Sequence, residues 1–166
     1  MPSTSRAEQR DKKERLSRNE QKWTAPLMQA GWTVIPSVLL ERQQALGLDA
    51  IDINIILHLA RYWWYSDNPP HPSKRTIAEC MGIDESTVRR RIARMERDGL
   101  LQRIPRYDKH AGQQGNEYHF EGLIQAATPY AHEVLMAREQ QQQETAARRT
   151  RKRSRLQLVS SQTVQT

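Results

Sequence analysis

The stretch that decides the fold is His71-Pro72-Ser73-Lys74-Arg75-Thr76-Ile77-Ala78-Glu79-Cys80-Met81-Gly82-Ile83-Asp84-Glu85-Ser86-Thr87-Val88-Arg89-Arg90-Arg91-Ile92-Ala93-Arg94-Met95-Glu96-Arg97-Asp98-Gly99-Leu100-Leu101. It encodes two helices. Ser73 stands as an N-cap before a short helix whose Ile77, Ala78 and Met81 face inward, and Gly82 supplies the left-handed backbone on which that helix stops. Asp84 caps a second helix, whose Val88, Ile92 and Met95 share a face and whose stop is Gly99. Ala78 is small enough for the second helix to cross close above the first, and Cys80, between Glu79 and Met81, reads as a buried thiol.

Off the packing face of the second helix lie Glu85, Ser86, Thr87, Arg89, Arg90, Arg91, Arg94 and Arg97. At about 100° per residue, Arg90, Arg94 and Arg97 fall in one row, with Ser86 and Thr87 beside its N-terminal end and Arg89 on the neighbouring flank. Arg91 is further round, where it serves a phosphate or the domain itself.

Working outward, Asp49 caps an earlier helix in which Ile53, Ile56, Leu57, Ala60, Trp63 and Trp64 follow helical spacing, though adjacent Trp63 and Trp64 cannot both point fully inward. Asp49 and Asp52 read as capping and dipole residues, and His58 as structural. Ser66-Asp67-Asn68-Pro69-Pro70-His71-Pro72 forces a loop. Further back, Trp32 to Pro36 reads as a short extended segment, followed from about Ser37 by a helix with Val38, Leu39 and Leu46 inward. On the other side, Leu100 to Arg106 predicts a strand, Tyr107 to Gly115 an exposed hairpin tip, and Glu117-Tyr118-His119-Phe120 the strand that pairs back. A last helix is expected from about Pro129 into the Gln140–Gln143 tract.

The resulting division is a basic flexible arm over residues 1–22, a domain over 23–128, a helix over 129–147 and a basic disordered tail over 148–166. Charge follows it. The net charge of +7 resolves into +3 on residues 1–22, −1 on 23–136 and +5 on 137–166. The basicity therefore belongs to the tails, and only a local excess, eight basic against three acidic residues from Arg89 to Lys109, makes one face of the domain positive.

Other classes find little support. One cysteine excludes an internal disulfide and a multi-cysteine zinc site; the histidines at 58, 71, 110, 119 and 132 have no metal-binding spacing. No glycine-rich phosphate loop or nucleophile elbow appears, so the chain is read as a non-enzyme with no cofactor, metal or small-molecule ligand. No run approaches the ~18 apolar residues that cross a bilayer. The expectation is a cytoplasmic, nucleoid-associated protein. An arginine-rich helix suits the major groove, where Arg bonds guanine bidentately, Ser or Thr contacts base or phosphate, and Glu85 accepts from cytosine or simply stabilises the helix dipole.

The order of elements resembles the winged helix-turn-helix family, mainly α with a small β-hairpin. The residues that carry the resemblance are 71–78, 81–88 and 95–101 of the stretch quoted above, and the match covers residues 49–120. They are similar to the winged-helix domains of bacterial, phage and plasmid replication proteins and of small transcription regulators. The resemblance implies DNA contact by Ser86, Thr87 and Arg90, and by Arg106, Lys109 and His110 of the wing, where Asp108 departs from a purely basic tip. With Lys74, Arg75, Glu85, Arg89 and Arg94 these form the candidate DNA-binding set. The reading favoured is a sequence-specific regulator of transcription on double-stranded DNA. A replication or plasmid/phage maintenance accessory is one alternative, and a protein-interaction module is another. The helix after Pro129, with Tyr130, Ala131, Val134 and Leu135, is the candidate homodimer surface.

Overall fold

A computed structural model describes residues 18–108 and 112–150. Residues 18–23 are helical, and α1 (Ala25–Gln29) follows with proline in its first turn and no buried residue. The segment expected as extended, 32–36, forms no strand. Helix α2 (Ser37–Glu41) begins where expected and buries Leu39, and the turns after it bury Leu46 and Leu48.

Helix α3 (Ala50–Ala60) opens on a reciprocal cap. Asp49 accepts from the amides of Ile51 and Asp52, while the Asp52 carboxylate accepts from the Asp49 amide at 2.8 Å. It buries Ile53, Ile55, Ile56 and Leu59, and ends before the tryptophans. Trp63 instead stacks on Phe120, with ring centroids 5.2 Å apart, and Trp64 is exposed. The loop then brings the Pro70 carbonyl to the Tyr118 amide, 2.9 Å away, so this segment lies along the hairpin.

Helix α4 (Lys74–Met81) has the expected cap, Ser73 Oγ accepting from the Thr76 amide at 2.9 Å, and ends at Gly82 with φ +65°. Its buried residues are Ile77 and Ala78; Cys80 is exposed, contrary to expectation, because it lies about 200° round from Ala78, nearly opposite that side of the helix. Helix α5 (Glu85–Arg97) is capped by Asp84 and buries Val88, Ile92 and Met95. Gly99, at φ +71°, turns the chain into the hairpin.

Strands β1 (Gln102–Asp108) and β2 (Gly112–His119) pair antiparallel, with Gln102 opposite His119, Arg103 opposite Tyr118 and Ile104 opposite Glu117. Pairing runs further toward the tip than the sequence suggested, past a register shift between Pro105 and Tyr107. The fold is mainly α with one two-stranded hairpin, and its core joins α3, α4, α5 and the hairpin base through Ile55, Leu59, Ile77, Val88, Ile92 and Tyr118.

Helix α6 (Glu121–Thr150) begins eight residues before the expected start and holds Pro129 inside it. Pro129 reads as a first-turn residue because proline lacks the amide an interior position needs. Burial of Leu123 and Ala127 holds the earlier turns, and the Leu123 amide donates to the Leu100 carbonyl at 2.9 Å. The chain divides into two compact units, residues 1–128 and 129–166. No helix of the described residues is long and apolar enough to cross a membrane.

Candidate nucleic-acid interface

Helix α5 has four sides, and each has a different environment. Val88, Ile92 and Met95 form the buried stripe. On one flank Arg91 pairs with Asp49, and Arg94 pairs with Asp52 and reaches the Gly47 carbonyl at 3.3 Å. Opposite the core, Ser86, Arg90, Ala93 and Arg97 form an exposed row. On the remaining flank Arg89 pairs with Glu85 at 2.9 Å, and Glu96 meets Arg103 of β1 at 3.2 Å.

Arg94 therefore differs from the expectation. The helical wheel put it in the row with Arg90 and Arg97, but a carboxylate 42 residues earlier draws it to the domain. Asp52 has no exposed surface, and burial pushes its carboxyl up from the ordinary range. A buried charge of this kind is sustained only beside a partner, which Arg94 supplies. Burial also works against the Asp49 charge, but the amides of Asp52 and Ile51 and the Arg91 guanidinium outweigh it and hold that carboxyl below the usual range. The same two aspartates that start α3 thus fix the azimuth of α5.

The outward row has no such tether. Among the described residues Arg90 and Arg97 enter no ion pair, so their guanidiniums are free to bind a ligand. Ser86 is exposed at the head of the row and donates its amide to the cap Asp84 at 2.6 Å; Thr87 is half-buried beside it. Hydrogen bonds from Ser86 hold the Asp84 carboxyl below the ordinary range, which keeps the cap charged.

Lys74, at the start of α4, lies near this face. Burial first, then the charges of Arg103 and Arg89, holds its ammonium below the usual lysine range, against the opposing pull of Glu85 and Glu96. Lys74 thus lies among the charges of Arg103, Arg89, Glu85 and Glu96. Arg75 is exposed and pairs with Glu79 at 2.8 Å. In the hairpin, Arg106 is held across the strands by Glu117 at 3.3 Å. Lys109 and His110, the wing-tip candidates, lie outside the described residues.

His58 is half-buried, and burial followed by the Arg61 charge lowers its pKa; it sits on α3, away from the arginine row. Among the described residues no group of His, Cys, Asp and Glu is placed to hold a metal ion. On α6, Val134 is half-buried and Leu135 and Met136 are exposed. Gly122 went unnoticed in the sequence. A Cβ there would overlap the Gly99 carbonyl oxygen and come within 2.9 Å of its carbon, so the start of α6 lies directly on the turn that ends α5.

The sequence model of the helix-turn-helix domain family matches residues 46–101, from the turn before α3 to the entry of β1. A comparison with curated proteins finds no match. Among solved structures, the chain is similar to the N-terminal domain of DnaD protein from Geobacillus kaustophilus, at 19% identity and a TM-score of 0.47, over 74% of this chain and 96% of that one. It is also similar to YusO protein from Bacillus subtilis (19% identity, 82% and 93% covered, TM-score 0.40) and to the PcaV transcriptional regulator from Streptomyces coelicolor (19%, 69% and 89%, 0.36). The family match and the observed geometry carry the assignment. Residues 46–101 match a helix-turn-helix domain, and two capped helices joined at the Gly82 turn, followed by an antiparallel hairpin, give this chain a winged helix-turn-helix fold.

Proposed function

We propose that the protein is a sequence-specific binder of double-stranded DNA that regulates transcription, reading the major groove with the outward row of α5. The observation that carries this reading is the sorting of the helix's arginines. Arg91 and Arg94 are tied to Asp49 and Asp52, whereas Arg90 and Arg97 lie in an exposed row behind Ser86 without an acidic partner among the described residues. A guanidinium held on a rigid helix and free of a carboxylate is suited to the paired acceptors of guanine. Lys74, with Arg75 and Arg89 nearby in the fold, supplies positive charge for the phosphates that flank a bound helix. Thr87 is the second short polar side chain at the N-terminal end. Lys109, His110 and Arg106 remain the contacts proposed for the wing, and Glu85 the one proposed for a cytosine edge.

Selection of bound duplexes from a random pool tests this. An enriched motif is expected. A pool recovered without enrichment would overturn sequence-specific reading and leave a DNA-binding accessory role in replication or in plasmid or phage maintenance. Arg90→Ala should cost about 1–3 kcal/mol on the selected site and relax preference at one base position. Equal losses on selected and random duplexes would reduce Arg90 to a phosphate contact.

A further inference from the structure

Positive charge at the C-terminal end of the sequence has no acidic residue beside it. Glu144 is the last carboxylate, and six of the eight residues from Arg148 to Arg155 are basic. The first two, Arg148 and Arg149, lie in the last turn of α6. Arg148 meets Glu144 at 3.8 Å, but the two side chains are 81% and 70% exposed, and so open a pair holds its arginine weakly. Arg149 continues a row along the helix. At about 100° per residue, Arg138, Gln142 and Arg149 fall within about 40° of arc, while Glu139 and Glu144 lie about 100° and 240° round from Arg138. All five are exposed, and among the described residues neither Arg138 nor Arg149 enters an ion pair.

We propose that the Arg138–Arg149 row and the basic run that follows it to Arg155 form a second DNA contact, which binds the phosphate backbone of a duplex whatever its base sequence. The inference rests on the reading of the domain as a binder of double-stranded DNA and adds a site that this reading does not use. Six cations in eight residues repel one another. A polyanion relieves that repulsion, and the cations in turn release its condensed counterions. Duplex DNA is the polyanion that the helix-turn-helix already brings to the chain. Once α5 holds a duplex, the run is tethered to it, so its own contacts form at high effective concentration. A run of like charge matches the repeated phosphates of a strand, which position a protein and carry no sequence information. Gln142, between the two arginines of the row, adds a neutral amide donor suited to the same oxygens.

The test is the salt dependence of binding by the full chain to a duplex of random sequence, followed by fluorescence anisotropy from about 50 to 200 mM salt. Arg151→Gln, Lys152→Gln, Arg153→Gln and Arg155→Gln, made together, remove four cations that follow α6 in sequence. The slope of log Kd against log salt should become shallower by about 3–4, as the loss of four phosphate contacts requires. Affinity should fall by roughly tenfold or more at about 0.1 M salt, equally for random and selected duplexes, with the selected motif unchanged. Arg151→Lys, Arg153→Lys and Arg155→Lys, made together, should keep the wild-type slope, because a phosphate accepts lysine as a point charge. An unchanged slope in the glutamine variant would overturn the proposal, and so would a loss confined to the selected duplex. Weaker binding to single-stranded RNA or to vesicles of anionic lipid, with the duplex slope intact, would overturn it in favour of that partner. None of these outcomes touches motif selection by α5, whereas a wild type that binds no duplex would overturn both readings.

Discussion

Asp52→Ala is expected to lower the unfolding free energy by about 2–4 kcal/mol, a large share of the 5–15 kcal/mol typical of a domain. The aspartate has three roles at once. It accepts the Asp49 amide, closing the cap of α3; it receives the Arg94 guanidinium; and its second oxygen lies 3.9 Å from Arg91. Alanine leaves the amide without its acceptor and strands a guanidinium that is only 32% exposed. The partial exposure of Arg94 lets water recover some of the loss, which places the figure below the full cost of an orphaned buried charge. Urea denaturation of the full chain reads the change. Arg94→Met in the same background should restore part of the stability, because it removes the stranded charge and keeps the stem that packs beside α3. A loss below about 1 kcal/mol would show that Arg94 turns to solvent without cost. DNA binding offers a second reading of the same variant. Without Asp52 the azimuth of α5 is held by Arg91 and Asp49 alone, so selectivity should fall further than stability would explain.

Gly122→Ala should be at least as damaging, at about 3 kcal/mol or more. Overpacking usually costs about 1–3 kcal/mol because a neighbouring side chain can move aside. Here the obstacle is backbone. The new methyl would meet the Gly99 carbonyl, and Gly99 is already in the left-handed turn that ends α5. Relief requires α6 to lift from that turn, which breaks the hydrogen bond from the Leu123 amide to the Leu100 carbonyl and uncovers Leu123. Thermal unfolding measures the loss. A melting temperature equal to that of the wild type would mean that the two backbones separate freely. A glycine at the second residue of a helix reads in sequence as a mildly poor helix former, and nothing nearby indicates that another chain segment lies against it.

Gly122 and Arg94 show the same boundary. Local features were legible: Ser73 and Asp84 as caps, Gly82 and Gly99 as stops, Val88-Ile92-Met95 as a stripe, Glu117 to Phe120 as a returning strand. Each depends on residues no more than about seven apart, where chain geometry alone decides which groups meet. The exposed Cys80 and the early start of α6 were missed within that range, because a neighbouring apolar residue and an interior proline gave the opposite local signal. Even so, the helix pair, its crossing and its hairpin follow from short-range chemistry.

Only the tertiary structure decided which of the arginines on α5 face outward. Around a helix every basic residue has the same intrinsic preference for water, so the wheel ranks them by angle and cannot see what stands opposite. Asp49 and Asp52 read as capping residues of α3, and they are; their second role appears only when α5 is laid across them and two guanidiniums find carboxylates 42 residues away. The sequence by itself determined that there would be an arginine-bearing helix on a helix-turn-helix frame. The fold determined that Arg91 and Arg94 hold that helix in place while Arg90 and Arg97 remain open, because ion pairing depends on distances in space that chain periodicity does not encode.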